Sequence, residues 1–354
     1  MKALAPVFVS HDLYRRHGYG SNHPLGIARV GPVMDLCLAL GWLPADAYRE
    51  SPVASEAQLL KFHTQDYVRA LREASESGRV DAQSRDRYRL GTMENPLFPG
   101  LYERAATSVG GSILAAELAF EGRIAFHPAG GTHHGRPDRA SGFCYFNDPV
   151  FAILTFMEKG AKRILYADLD AHHGDGVQDA FAGEARVHTV SIHEANRWPH
   201  TGAANDAGGG RSHNFPVARG FGDEQLEALL EGEVLPLSRR IAPDAVVITC
   251  GADALAGDPL SAMALSNVAL WSAVERIAAL APAAVVLGGG GYNPWTVARY
   301  WGGLWGRLTG REIPARLPAA ARAILESLEC DLVDEEDRRE EWLTTLADSS
   351  HELA

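Results

Sequence analysis

A chain of 354 residues, 46% of them hydrophobic, can bury a large core, and length alone would allow one domain or two. The net charge of -12 argues against a nucleic-acid partner; it suits a cationic substrate such as a basic peptide or a polyamine, or simply a solvated acidic surface. Cys37, Cys144, Cys250 and Cys330 lie far apart with no CxxC, the N-terminal apolar stretch is too short for a signal peptide, and no run approaches membrane-spanning length, so the reading is a reduced, cytoplasmic protein with no membrane partner.

In chain order, strand-like runs occur at 6–10, 123–128, 163–168, 187–193, 245–250 and 284–289. Helix-like segments lie at 101–120, 147–159, 223–240, 261–281 and 294–308. Strand alternating with helix predicts a single-domain α/β fold with a central parallel β-sheet and helices on both faces. In such sheets the ligand crevice lies beyond the carboxyl ends of the strands. Each notable polar cluster follows a strand here: Gly130 to His134, Asp168 to Asp175, Asp253 after Cys250, and Tyr292 after Leu287. The acidic and then polar tail from about residue 330 reads as a solvated terminal helix or frayed end.

The densest cluster is RILYADLDAHHGD, 163 to 175, where an apolar run ends in Asp168, Asp170, His172, His173 and Asp175. That much charge is costly to bury without a metal or partners. Asp168, Asp170 and His172 follow at period two, so an extended backbone persisting to His172 would point them the same way. One Asp and one His make two thirds of a catalytic zinc site; the bland alternative is a set of turn carboxylates beside a satisfied histidine.

In HPAGGTHHGRPDRASGFCYFND, His133 and His134 are adjacent behind two glycines. Asp168 and Asp175 could each bond one imidazole and fix its tautomer and pKa, the usual construction of a general base. Asp253 in CGADALAGDPL suits a metal ligand and equally a turn aspartate. LGGGGYNPW has no following GK[ST] and spells no GxGxxG, so its glycines read as a loop carrying the Tyr292 hydroxyl and not as a phosphate cradle.

Together these four blocks resemble the signature segments of the zinc-dependent histone deacetylase family, in the arginase/deacetylase superfamily, and within it the bacterial acetoin-utilisation and histone-deacetylase-like branch. NHPLGIARV, FHTQDYV, GTMENPLFPG and WGRLTGREIPARL extend the likeness nearly end to end, implying one deacetylase domain over 1–354. The resemblance implies Zn2+, or Fe2+, on Asp170, His172 and Asp253. By the same likeness His133 is the base, His134 the acid that protonates the leaving amine, Asp168 and Asp175 their supporting carboxylates, and Tyr292 the hydroxyl that polarises the acyl oxygen. A structural K+ would sit among Asp168, Asp170, His172, Ser191 and Ile192, and a second cation site involves backbone near Phe181 and Val187. His188, His193 and His213 read as structural.

Further positions follow from the resemblance. Gly142 and Phe143 match the tunnel wall, Trp198 the facing aromatic, Glu94 the rim acid that holds substrate backbone, and Arg29 the arginine near the internal acetate-release cavity. His200 stands in a loop where relatives carry small residues. Leu260 is apolar where polyamine-directed relatives carry an acidic gatekeeper, which favours acetyl-lysine of a protein, such as a metabolic acyl-CoA synthetase. Small acetylated amines and longer acyl-lysines are the alternative substrates. An inactive acyl-ligand binding module would have lost a ligand, base or tyrosine, and none is lost; an arginase-like two-manganese site would need carboxylates in place of the His pair. Oligomeric state is left open.

Overall fold

The computed structural model describes residues 4–349 apart from 17 and 21. Eight strands, β1 (Val7–Ser10), β2 (Tyr48–Glu50), β3 (Ile124–His127), β4 (Ile164–Asp168), β5 (Val187–Glu194), β6 (Ser212–Val217), β7 (Ala245–Thr249) and β8 (Ala283–Leu287), form one sheet ordered β2-β1-β3-β8-β7-β4-β5-β6. Every pairing is parallel, as the alternation of strands and helices predicts.

Successive strand residues serve two different cores, which is why the runs read as continuously apolar. Phe126, Leu165, Ala167, Val246, Ile248, Ala284 and Val286 face one core. Ala125, Ile164, Tyr166, Ala245, Val247, Ala283 and Val285 face the other. The first core is closed by helices α1 (Val30–Ala39), α4 (Asn267–Ala278) and α5 (Pro294–Leu308); the second by α2 (Leu101–Phe120) and α3 (Asp148–Glu158). No described helix is long and apolar enough to cross a membrane.

The structure differs from the sequence reading at several points, among them the helix-like segment at 261–281, which is helical only over Asn267–Ala278. The edge strands β2 and β6 are not predicted: the first has three residues, and SHNFPV carries Pro216 and partly exposed positions, tolerable because an edge strand is bonded on one side only. The segment at 223–240 is not one uniform helix but Asp223–Leu229, a wide π turn at Leu230–Val234 and Leu235–Ile241, the turn falling just before Pro236, which has no N–H to offer. The acidic tail is not a solvated end. Trp342 and Leu346 are buried, Trp342 stacks near Trp295, and Asp348 pairs with Arg299, whose side chain is fully buried.

The four strands that precede the polar clusters, β3, β8, β7 and β4, are consecutive in the sheet. Their carboxyl ends therefore open side by side onto one crevice.

Candidate metal centre and active site

Asp170, His172 and Asp253 converge at the ends of β4 and β7, all buried, with one ligand atom from each lying within 4.8 Å of the others. The strand stops at Asp168, so the extended backbone does not persist through His172; a bend turns the residues inward instead. The His172 ring Nδ1 lies 3.2 Å from Asp170 and 2.9 Å from Asp253. Gly290 N–H donates to Asp170 at 2.6 Å and Ala171 N–H to Asp253 at 3.1 Å. Only glycine fits beside these carboxylates: a Cβ at Gly251 would sit 2.2 Å from Asp170 Oδ2, and one at Gly290 2.0 Å from Asp253 Oδ2. One imidazole and two carboxylates in a buried cradle fit a zinc-type divalent ion with a position left open.

The loop after β3 brings His133 and His134 to the same place. Asn147, which caps α3, donates to the His133 and Gly135 carbonyls, and buried Asp148 accepts from Gly131 N–H at 3.0 Å and Thr132 N–H at 2.7 Å. Each imidazole has its own carboxylate: His133 Nδ1 is 2.7 Å from Asp168, and His134 Nδ1 is 2.7 Å from Asp175. A carboxylate only accepts, so both Nδ1 atoms carry the proton and both Nε2 atoms point away from the supporting carboxylates. His133 Nε2 lies 3.8 Å from Asp170.

The surroundings separate the two rings. Burial alone would lower His133, but Asp168 and Asp170 outweigh it and raise the ring to about 9. Burial and the neighbouring His133 depress His134 to about 3 against the pull of Asp175. Besides Asn147 and Asp148, three further supporting residues were not read from the sequence. Tyr166 donates its hydroxyl to Asp168 at 2.7 Å, Arg136 pairs with both Asp175 and Asp179, and Asp258 accepts Tyr292 N–H at 2.7 Å. Period-two spacing from Asp168 could have flagged Tyr166; nothing local marks the other two.

Tyr292 follows β8, is 6% exposed, and faces the Phe143 ring at 6.0 Å. Outside it the slot is lined by Glu94, Gly142, Phe143, Arg197, Trp198 and Leu260. Phe143 holds a left-handed backbone (φ 66°), fixed by Asn95 on its N–H and the Tyr19 hydroxyl on its carbonyl. Glu94 spends one oxygen on Gly142 N–H at 2.6 Å. The Trp198 indole, 38% exposed, packs edge-on to His134 at 4.6 Å and reaches across to Gly142, where a Cβ would lie 2.3 Å from it. His200 is exposed and is not among the slot's lining residues.

Inward, the cavity continues past Tyr14, Tyr19, Arg29 and Arg104. Arg29 bonds the Gly289 carbonyl, covers the Trp301 ring at 5.0 Å, and its buried Nε has no partner among the described residues. On the far side of Asp168, Ser191 is its register partner on β5, and Ile192 follows, buried. His193 bonds Ser191 and the Gly202 carbonyl, whereas His188 and His213 stack on each other at 6.0 Å on β5 and β6, outside the slot's lining.

Residues 23–308 match the histone deacetylase domain. The chain is 36% identical over 309 residues to human histone deacetylase 1, covering 85% of this chain and 64% of that protein, so it spans less than two thirds of that relative's length. It is 37% identical over 281 residues to Xenopus tropicalis histone deacetylase 8, covering 77% of this chain and 76% of that protein. The crystal structure of an HDAC homolog from Aquifex aeolicus superposes with a TM-score of 0.93 at 35% identity, covering 98% of this chain and 95% of that one. An HDAC homolog complexed with SAHA gives 0.92, at the same identity and coverage.

Proposed function

The chain belongs to the histone deacetylase family, and from that membership we propose that it is a zinc-dependent amidohydrolase that removes the acetyl group from Nε-acetyl-lysine of a protein, giving free lysine and acetate. One observation carries the reading: two imidazoles, each with its own carboxylate, stand beside the Asp170, His172 and Asp253 triad at the foot of a slot that Tyr292 lines.

In this reading His133 takes the proton of the attacking water at Nε2 while Asp168 holds its Nδ1–H. His134, a neutral ring in the free protein, relays to the leaving nitrogen the proton that His133 removes from water, because a lysine amide anion is too basic to depart unprotonated. Burial, with Asp253 and Asp170 close by, keeps the Tyr292 phenol well above its usual pKa, so it stays a neutral donor for the developing oxyanion. A zinc-type ion on the triad supplies Lewis acidity, lowering the pKa of water to about 7, and its charge opposes the carboxylates that raise His133. Fe(II) is the alternative occupant of the same donor set. We assign the structural potassium to Asp168, Asp170, His172, Ser191 and Ile192; the burial of Asp168 and Ser191 in register on adjacent strands supports it. The wall and rim roles go to Gly142, Phe143, Trp198, Glu94 and Leu260, and Arg29 faces the inner cavity where acetate would leave. We also propose one deacetylase domain across the chain and a cytoplasmic location, supported by an acidic sequence whose four cysteines are all free.

Two rim features favour a second reading, deacetylation of small acetylated amines. Glu94 keeps one carboxylate oxygen beyond its bond to Gly142 for a cationic substrate, and Trp198 narrows the slot. Comparing kcat/KM for an acetyl-lysine peptide, an acetylated polyamine and a longer acyl-lysine peptide decides between them. A polyamine preference on the order of tenfold or more would replace the protein-lysine assignment.

A further inference from the structure

We propose that Asp258 is a positioning residue that fixes the Tyr292 hydroxyl and the slot rim as one unit, an inference that rests on the role given to Tyr292 above. Its buried carboxylate accepts two backbone N–H groups from different segments. Oδ2 takes Tyr292 N–H at 2.7 Å, and Oδ1 takes Leu260 N–H at 2.9 Å. The turn that carries it is gripped on both sides: Asn293 donates to the Gly257 carbonyl at 3.0 Å, and the Trp342 ring packs so close that a Cβ at Gly257 would lie 2.8 Å from it.

Leu260 is held at its other end as well. Its carbonyl accepts from Arg197 at 2.7 Å, and Arg197 is braced by Glu194, which also takes Ala262 N–H at 2.8 Å. Arg197 directly precedes Trp198. A continuous set of hydrogen bonds therefore runs from Tyr292 through Asp258 and Leu260 to Arg197, the residue before the rim indole. A rim that shifts on loading substrate moves the Tyr292 backbone with it, and misplacing a reacting group by about 1 Å can cost on the order of 10²-fold in rate.

Asp258→Asn keeps the shape but replaces one acceptor with an NH2 group, so one of the two N–H tethers is lost. The expected result is a fall in kcat of roughly tenfold or more with KM changed by less than about twofold and metal content unchanged. In a Tyr292→Phe background the same substitution is expected to cost less than about twofold, because its effect passes through the hydroxyl. Hydrogen exchange at the Tyr292 or Leu260 amide is expected to accelerate in Asp258→Asn. Arg197→Gln, half-buried and safer for folding, is expected to accelerate exchange at both amides. Fully multiplicative effects of Asp258→Asn and Tyr292→Phe, unchanged protection of both the Tyr292 and Leu260 amides in Asp258→Asn, or acceleration confined to Leu260 in Arg197→Gln would each overturn the linkage. A parent protein that is folded and metal-loaded yet hydrolyses no amide would sink the deacetylase reading instead, and the exchange measurements would still decide whether Asp258 holds Tyr292.

Discussion

His133 and His134 are neighbours in the chain, their rings 3.9 Å apart, yet they are bonded to carboxylates from opposite ends of one cluster and are driven in opposite directions, to about 9 and about 3. A difference in the second layer accompanies this. Asp168 is supported by the neutral Tyr166 hydroxyl, whereas Asp175 is paired with the Arg136 guanidinium.

Arg136→Gln is therefore expected to raise the pKa of His134. Without the guanidinium, more of the Asp175 charge acts on the imidazolium, and Asp175 itself rises from about 2, where the hydrogen bond from His134 and the charge of Arg136 hold it against burial. Titration of the His134 ring by NMR in parent and variant checks this; an unchanged or lowered value would show that Arg136 has no electrostatic hold on the pair.

Metal loading should release a proton. Burial alone would lower His172, but its bonds to Asp170 and Asp253 raise the ring to about 10, so among protein groups alone it is protonated at neutral pH. A divalent ion displaces that proton, and apparent affinity for Zn2+ rises with pH over the neutral range. In chelated protein the raised His172 stabilises the fold fully below its unfolded value of about 6.5, and that contribution disappears as pH climbs past the folded value. Calorimetry of Zn2+ binding in buffers of different ionisation enthalpy measures the proton count, and a count of zero would contradict the picture.

Trp198 sets the width of the slot. Trp198→Ala should improve turnover of bulky acyl groups relative to acetyl, because the indole no longer reaches Gly142. Gly142→Ala should abolish most turnover while the protein stays folded, since its new Cβ would meet Trp198 and His134 at 2.3 and 2.6 Å and the backbone there has φ 53°. A chain-length series of acyl-lysine peptides reads both; equal selectivity in parent and Trp198→Ala would remove the indole from the specificity account.

The C-terminal segment is part of the core. Trp342→Ala should cost about 3–5 kcal/mol in unfolding free energy, and Asp348→Ala, which strands the fully buried Arg299, a similar amount. Denaturant unfolding checks this, with a loss below about 1 kcal/mol in both variants contradicting it.

The fold class was legible because the buried strands are short, β-branched and separated by helical segments, and because every polar cluster follows one of them. The convergence was legible in outline for the same reason: β3, β8, β7 and β4 each end in a cluster, although their adjacency in the sheet is topology that no local pattern states. The supports were not. Arg136, Asp258 and Asn147 act through backbone or carboxylate partners brought together from distant segments, and an aspartate in GDP or an arginine in HGRP looks like an ordinary turn residue. The tail misled for a related reason, since its acidic composition hides two buried apolar side chains and a carboxylate that neutralises a core arginine.

Amide hydrolysis through Tyr292 and the His133–Asp168 and His134–Asp175 pairs is decided by one assay: turnover of an acetyl-lysine peptide by the Zn2+-reconstituted protein beside Tyr292→Phe and His133→Ala. The expected result is turnover by the parent and a loss of ~10²–10³ in kcat in Tyr292→Phe, with His133→Ala at least as impaired. Silence of the folded, metal-loaded parent on peptide, polyamine and longer acyl amides, or full activity in Tyr292→Phe, would contradict it.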